Sequence, residues 1–406
     1  MRWIFFSAIY LFLSFYTYQA LKTVTKQPWL IFTFFTISLA IIGNLFYQFY
    51  VGDTKVLTGS KSIALGLILA MMVFKLITIF FLFSEDVIRV LVGGYQKLFS
   101  TNKEFALPER RAFLSLIALG IAAIPFGALL FGMYKGKYNF KVLRYTLTFD
   151  DLPEAFDGYQ LTQISDIHSG SFDDEKKISY AIDLINEQKS DVILFTGDMV
   201  NNKAEEMVPW APLFSKLTAP DGKFSVLGNH DYGDYVAWST EQEKEQNLED
   251  LKTLQRNMNF DLLLNESRYI QKKGERIALV GVENWGRGGF KKAGDLTKAA
   301  GAIAADDFKI LLSHDPSHWE DVVVTDPYHY HLTLSGHTHG MQFGIEIPGW
   351  IKWSPIKWRY KYWAGIYKEV GQFINVNRGF GFLGYPGRVG IWPEITVITL
   401  KKGVSV

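Results

Sequence analysis

No cysteine occurs in the 406 residues, which excludes disulfides, thiolate metal sites and thiol nucleophiles. The same absence removes the usual clue to redox compartment. Neither sign of charge dominates: 42 Lys and Arg stand against 41 Asp and Glu, a formal net charge of +1. Nucleic acid is therefore not an expected partner, because its phosphate backbone is met by a basic surplus. Internal repeats and low-complexity tracts are absent too. Long apolar runs are what the first third has in abundance. Residues 3–20, 28–50, 62–83 and 112–134 each come near the roughly 20 residues needed to cross a bilayer, and the first two hold no charged residue. A cleaved signal peptide would explain only the first of them. Residues 1–134 are thus expected to form a transmembrane region of four α-helices, with the lipid bilayer as partner. Polar residues inside the spans are few, Asn44, Gln48 and Lys75, too few for a transport pathway.

Lysines and arginines flank the spans on both faces, so counting them does not orient the chain. Glu109-Arg110-Arg111 immediately before the fourth span resembles a twin-arginine export signal. On that reading residues 84–111 are cytoplasmic and everything after the fourth span is extracytoplasmic, a multi-pass arrangement in a bacterial inner membrane. Residues 87–99 mix apolar and basic side chains and are expected to lie in the interface as an amphipathic helix. Lys135, Lys137, Lys141 and Arg144 mark a basic stretch, with residues 135–141 expected to be a juxtamembrane linker.

Beyond the linker, five short motifs each follow a run that reads as a buried strand. They are Asp166-Ile167-His168, Gly197-Asp198, Gly228-Asn229-His230-Asp231, Ser313-His314-Asp315 and Gly336-His337-Thr338-His339-Gly340. Loops at the carboxyl ends of strands in α/β sheets share one crevice, so these side chains are expected to converge. Any one Gly-Asp or Asn-His is ordinary turn chemistry; five in register point to a metal site. Carboxylates, imidazoles and one amide suit divalent Mn, Fe, Co, Zn or Ni. Two such ions about 3.5–4 Å apart would clamp the attacking and leaving oxygens of an in-line displacement at phosphorus. His318, His329 and His331 fall outside the motifs and are expected to make structural hydrogen bonds.

These motifs, in this order over residues 142–402, resemble those of the calcineurin-like metallophosphoesterases. Within that superfamily, Gln163-Ile164-Ser165-Asp166-Ile167-His168-Ser169-Gly170 is most similar to the membrane-anchored bacterial branch. The resemblance implies an α/β/β/α sandwich of two mixed sheets over residues 142–406. It implies Asp166, His168 and His339 on one metal ion, Asn229, His314 and His337 on a second, and Asp198 bridging them. A hydroxide held between the ions would be the nucleophile, and His230 would stabilise the phosphoryl oxygens or protonate the leaving group. Many relatives carry an aspartate that orients this histidine; here the position is Asn201, also a candidate substrate contact. Met341 replaces a glycine that often follows the last motif and is expected to affect pocket shape only.

Two later segments bear on the substrate. Residues 347–363 interleave Trp350, Trp353, Trp358 and three tyrosines or tryptophans with Lys352, Lys357, Arg359 and Lys361, a composition suited to a membrane interface; an aromatic-capped hairpin is the alternative. Residues 378–388 are glycine-rich with an arginine at each end, so Arg378 or Arg388 is expected to hold a substrate phosphate, the resemblance favouring Arg378. The expected activity is hydrolysis of a phosphoester or pyrophosphate, lipid-linked. The alternatives are a phosphodiesterase for a soluble nucleotide or small phosphoester, and a non-catalytic membrane sensor on the same fold.

Overall fold

The computed structural model describes residues 2–51, 58–99, 108–347 and 349–404, in two compact units, Met1–Tyr134 and Lys135–Val406. The first unit consists of α1 (Arg2–Val24), α2 (Pro28–Val51), α3 (Gly59–Phe99) and α4 (Pro108–Tyr134). Each is long and apolar enough to cross a membrane. Their contacts use small side chains, Ala20, Ala64, Ala118 and Ala122, all fully buried, which lets helix backbones approach closely where no hydrophobic effect drives them together. Lys75 is buried too; its Nζ donates to Ser14 Oγ at 2.7 Å and lies 3.3 Å from the Tyr10 ring centroid. Those contacts give the intramembrane lysine a structural setting.

α3 departs from expectation. It runs 41 residues without a break at Ser84, about 60 Å at 1.5 Å per residue, so residues 87–99 continue a long helix and do not form a separate interfacial one. Just beyond the apolar stretch, Asp86 accepts from Tyr16 Oη at 2.5 Å and from Arg111, and Arg89 pairs with Glu85 at 2.9 Å. Arg111 therefore has an ion-pair role at the start of α4. The side chains of Glu109 and Arg110 lie outside those described.

The second unit is built on two six-stranded sheets. Its strands are β1 (Lys141–Phe149), β2 (Gln160–Ile164), β3 (Val192–Phe195), β4 (Lys223–Ser225), β5 (Asp261–Leu262), β6 (Glu266–Lys272), β7 (Glu275–Gly281), β8 (Lys309–Leu312), β9 (Leu332–Ser335), β10 (Ile345–Ile347), β11 (Ile351–Trp353), β12 (Gly365–Glu369), β13 (Gln372–Val376) and β14 (Glu394–Lys402). One sheet has the order β1-β14-β2-β3-β4-β5 and the other β12-β13-β9-β8-β7-β6. Both are mixed, with β2, β3 and β4 parallel in the first and β7, β8 and β9 parallel in the second.

Strand alternation explains the layering, since successive side chains point to opposite faces. Val192 and Leu194 join Ile310, Leu312, Leu332 and Leu334 in the intersheet core. Ile193 and Phe195 point outward onto Ile178, Ile182 and Leu251 of the helices Glu175–Asn186 and Glu241–Asn257. On the other sheet Leu311 and Val280 face Leu296 and Trp319. The result is an α/β/β/α sandwich.

Residues 135–141, expected to be a juxtamembrane basic linker, group with this unit. Lys137 is buried with its Nζ 2.5 Å from Asp173, and β1 pairs in parallel with β14 from Lys141 onward.

Candidate metal centre

Each expected ligand sits two to four residues beyond a parallel strand: Asp166 and His168 after β2, Asp198 after β3, Asn229 after β4, His314 after β8, His337 and His339 after β9. Both sheets send these strands to one edge of the sandwich. The approach is so close that a Cβ on Gly336 would fall 2.2 Å from Asp166 Oδ2, and one on Gly228 would fall 2.2 Å from Asp198 Oδ1. Asp166, His168, Asp198, His337 and His339 all have φ between 48° and 69°. Left-handed backbone costs a non-glycine residue of order 1 kcal/mol and persists where its surroundings impose it.

Asp231 is one such imposition. Buried between the loops, its carboxylate accepts from the backbone N–H of Asp198 (3.0 Å), Met199 (2.8 Å) and Gly228 (2.8 Å), locking the post-β3 and post-β4 turns together. Asp198 Oδ1 in turn accepts from His230 N–H at 2.8 Å. That leaves Asp198 Oδ2 free toward the centre, 3.1 Å from His314 Nε2 and 3.6 Å from His168 Nε2.

Two donor groups result, Asp166-His168-His339 and Asp198-His314-His337, each with its ligand atoms within 4.8 Å of one another. In the first, His339 Nε2 lies 3.1 Å from Asp166 Oδ1 and 3.0 Å from His168 Nε2. In the second, Asn229 Oδ1 adds a further oxygen, 2.8 Å from His337 Nδ1. Outer groups fix which nitrogen faces inward. His314 Nδ1 is bonded to Thr196 O at 2.7 Å, turning Nε2 to the centre, and His337 Nε2 is bonded to Tyr360 Oη at 2.8 Å with Asp315 Oδ2 at 3.3 Å, turning Nδ1 inward. Asn229 Nδ2 donates to Tyr235 Oη at 2.8 Å, which aims its oxygen the same way.

Burial holds the His168 and His337 imidazoles below the ordinary histidine range, so both are neutral lone-pair donors. For Asp166 and Asp198 burial acts upward, but the imidazoles of His339 and His314 respectively outweigh it and keep both carboxyls well below their usual range. His314 moves up to about 10: burial opposes this and the Asp198 carboxylate overrides it. An incoming cation would displace the proton that this shift favours on His314. His314 Nε2 is buried without a hydrogen-bond partner. Two carboxylates, inward-turned imidazoles and an amide oxygen fit a pair of divalent ions that favour nitrogen and oxygen.

The remaining expected residues fall in different places. His230 lines a cavity of about 210 Å³ over the two groups, and its Nδ1 is bonded at 2.7 Å to the main-chain oxygen of Asn201. The Asn201 side chain, expected to orient that histidine or meet substrate, instead bonds Ser171 at 3.0 Å. Arg378 does not line the cavity: it is buried, with Nε 2.9 Å from Glu346 Oε2 and Nη1 2.5 Å from Glu394 Oε2. It braces the hairpin β10–β11 against β14. Arg388 is fully buried and donates to the carbonyls of Arg378, Gly379 and Gly381. Met341 also stays off the cavity and has φ 56°, so the cost of replacing glycine there is backbone strain. His318 and His331 make structural bonds, to Ser313 Oγ at 2.8 Å and Asp151 at 2.6 Å.

Asp231 and Asp315 stood inside the motifs but carried no ligand role, and their function as loop clamp and histidine partner needed the fold to be visible. Tyr235 and Tyr360 have no spacing signal at all. Because Asp198 Oδ2 faces His168 of one group and His314 of the other, Asp198→Asn should abolish hydrolysis and lower metal content, read by elemental analysis of the purified protein. Near-normal turnover with Mn in excess would contradict the two-ion arrangement.

The chain is similar to known families and proteins. Residues 159–341 match the family described as "Calcineurin-like phosphoesterase", and residues 1–137 match "Probable Calcineurin-like phosphoesterase, transmembrane domain". A metallophosphoesterase of Bacillus subtilis, YkuE, is 33% identical over 302 residues, 72% of this chain and 98% of that one. One from Aquifex aeolicus is 28% identical over 68% of this chain and 98% of its own length. A zebrafish (Danio rerio) transmembrane protein with a metallophosphoesterase domain is 26% identical over 72% of this chain and 63% of that one. With its two donor groups at the edge of a two-sheet sandwich and a membrane-spanning unit ahead of it, the chain belongs to the calcineurin-like metallophosphoesterases and is a metal-dependent phosphoester hydrolase.

Proposed function

We propose that this membrane hydrolase acts on a phosphoester or pyrophosphate carried by a lipid. The observation that carries the reading is that one stretch of chain does two things. Ile356, Arg359 and Tyr360 form a wall of the metal-site cavity, while Trp350 and Trp358 beside them are 77% and 76% exposed. This stretch is fastened to the last ligand motif: Ser354 Oγ donates to Gly340 O at 2.7 Å, and Thr338 Oγ1 donates to Trp363 O at 2.7 Å. Exposed indole rings next to Lys357 suit headgroup depth. At about 210 Å³ the cavity is sized for a phosphate and the atoms next to it, leaving the rest of a large ester to lie over the aromatic wall.

Two divalent ions, when bound, supply Lewis acidity at the phosphoryl oxygens and make water a nucleophile at neutral pH. We assign Asp166, His168 and His339 to one ion, Asn229, His314 and His337 to the other, and Asp198 to both. His230 stands on the cavity wall with Nδ1–H donated to the Asn201 carbonyl, so Nε2 is the nitrogen that, in the imidazolium form, donates a proton to the departing oxygen. For location, the Arg110-Arg111 pair supports an extracytoplasmic catalytic unit in a bacterial inner membrane.

Four outcomes test this reading. His230→Ala should keep its metal but lose about 10²–10⁴-fold in turnover, the range of general acid–base catalysis, and lose less with a nitrophenol leaving group. Asn201→Ala should cost far less, because the histidine's anchor is main chain; equal losses for good and poor leaving groups in His230→Ala would remove the proton-donor role. Replacing Trp350 and Trp358 with alanine should spare a small soluble ester and depress hydrolysis of a substrate presented in a bilayer, whereas parallel losses would make the segment a structural lid. Finally, a reporter active only outside the cytoplasm should be active when fused after Val406 and silent when fused within residues 84–111, and the reverse pattern would place catalysis inside.

A further inference from the structure

The arginines of the catalytic unit differ in what neutralises them. Arg268 pairs with Asp261 and Glu266, Arg276 with Asp307, Arg287 with Asp321 and Glu320, and Arg378 with Glu346 and Glu394. Arg359, which lines the metal-site cavity, has no carboxylate within ion-pair distance among the described residues. Its Cζ lies 5.4 Å from the Phe290 ring centroid and 5.6 Å from that of Tyr360. Aromatic faces steady a guanidinium without consuming its N–H donors or its charge. Tyr360 is itself fixed by its 2.8 Å bond to His337 Nε2, so the arginine's neighbour is tied to a ligand of the centre. Phe290 edges onto the same His337 ring at 4.8 Å.

We infer that Arg359 is the group that recognises a second phosphate on the substrate, next to the one hydrolysed, and so selects a lipid diphosphate over a simple ester. The inference rests on the lipid-linked reading above and names its substrate class. A planar five-donor fork meets phosphate oxygens in pairs, and a cavity this small brings that phosphate against the arginine when its partner sits over the donor groups. In the reaction, water oxygen bonds to the phosphorus at the centre and the P–O–P bond breaks. The bridging oxygen leaves on the phosphate held by Arg359, taking a proton from His230, so one water yields an alkyl phosphate and inorganic phosphate.

The test uses the full-length protein in neutral detergent micelles, with dodecyl diphosphate and dodecyl 4-nitrophenyl phosphate as substrates, and an ethyl diphosphate and ethyl 4-nitrophenyl phosphate pair alongside. Arg359→Ala should lower the ratio of kcat/KM for diphosphate over nitrophenyl ester about ten- to a hundredfold, the scale of a lost charge-assisted contact, mainly through KM. Arg359→Lys should recover part of the ratio, and metal content should match wild type. An unchanged ratio, or a loss seen only when the esters are carried in phosphatidylglycerol vesicles, overturns the assignment, the second by showing that Arg359 meets membrane headgroups. If the dodecyl chain confers no preference over ethyl in the wild type, the lipid reading fails separately, and the Arg359 contrast is then read from the ethyl pair.

Discussion

A carboxylate whose one oxygen is pinned by a backbone N–H and whose other must face imidazoles from both sheets is the constraint on which this catalytic unit turns. Asp198 can occupy that position only if β3 ends level with β2, β4, β8 and β9 at the same edge of the sandwich. The alternating apolar residues of those strands enforce the level ending, since slipping one strand by a residue would exchange its core and outward faces. Burial between the sheets thus stabilises a geometry that the site by itself would not hold: buried like-charged carboxylates, five left-handed ligand residues and turns with no room for a Cβ at Gly228 or Gly336. The clamp at Asp231 transmits this order, because three backbone donors from two loops converge on one carboxylate.

Around that core, several arginines serve the scaffold. Carboxylates and main-chain carbonyls take up the arginines that hold the scaffold, as in the bidentate bond of Arg378 to Glu346 that roots the aromatic hairpin. Arg388, buried beside His339, spends its donors on carbonyls of the loop that crosses under Asp166. The arginine at the cavity wall is held by rings instead, and so keeps its charge for an anion.

The candidate donor set was legible in the sequence because its chemistry is local. A strand of four apolar residues followed by Asp-x-His or Gly-Asp is readable without knowing what lies opposite, and five such units in one chain leave little room for coincidence. The four apolar helices were legible for the same reason, being a matter of length and composition. Less legible were features decided by partners distant in the chain. Arg378 looked like a phosphate ligand until Glu346 and Glu394 could be seen to claim it. Asn201 looked like an amide substituting for a carboxylate, yet the histidine is held by its main chain, which any residue supplies. Past Ser84, α3 is met by Arg111 and Tyr16 reaching Asp86 from other helices, and Tyr235 and Tyr360 orient Asn229 and His337 from sequence positions that no spacing rule singles out.

The central claim, that five post-strand loops assemble a two-ion centre around one shared carboxylate, is tested most directly by anomalous X-ray scattering from crystals of the protein grown with Mn. The account predicts two peaks, one among Asp166, His168 and His339 and one among Asn229, His314 and His337, both within bonding distance of Asp198. A single peak, or two peaks with Asp198 bound to only one, would contradict it.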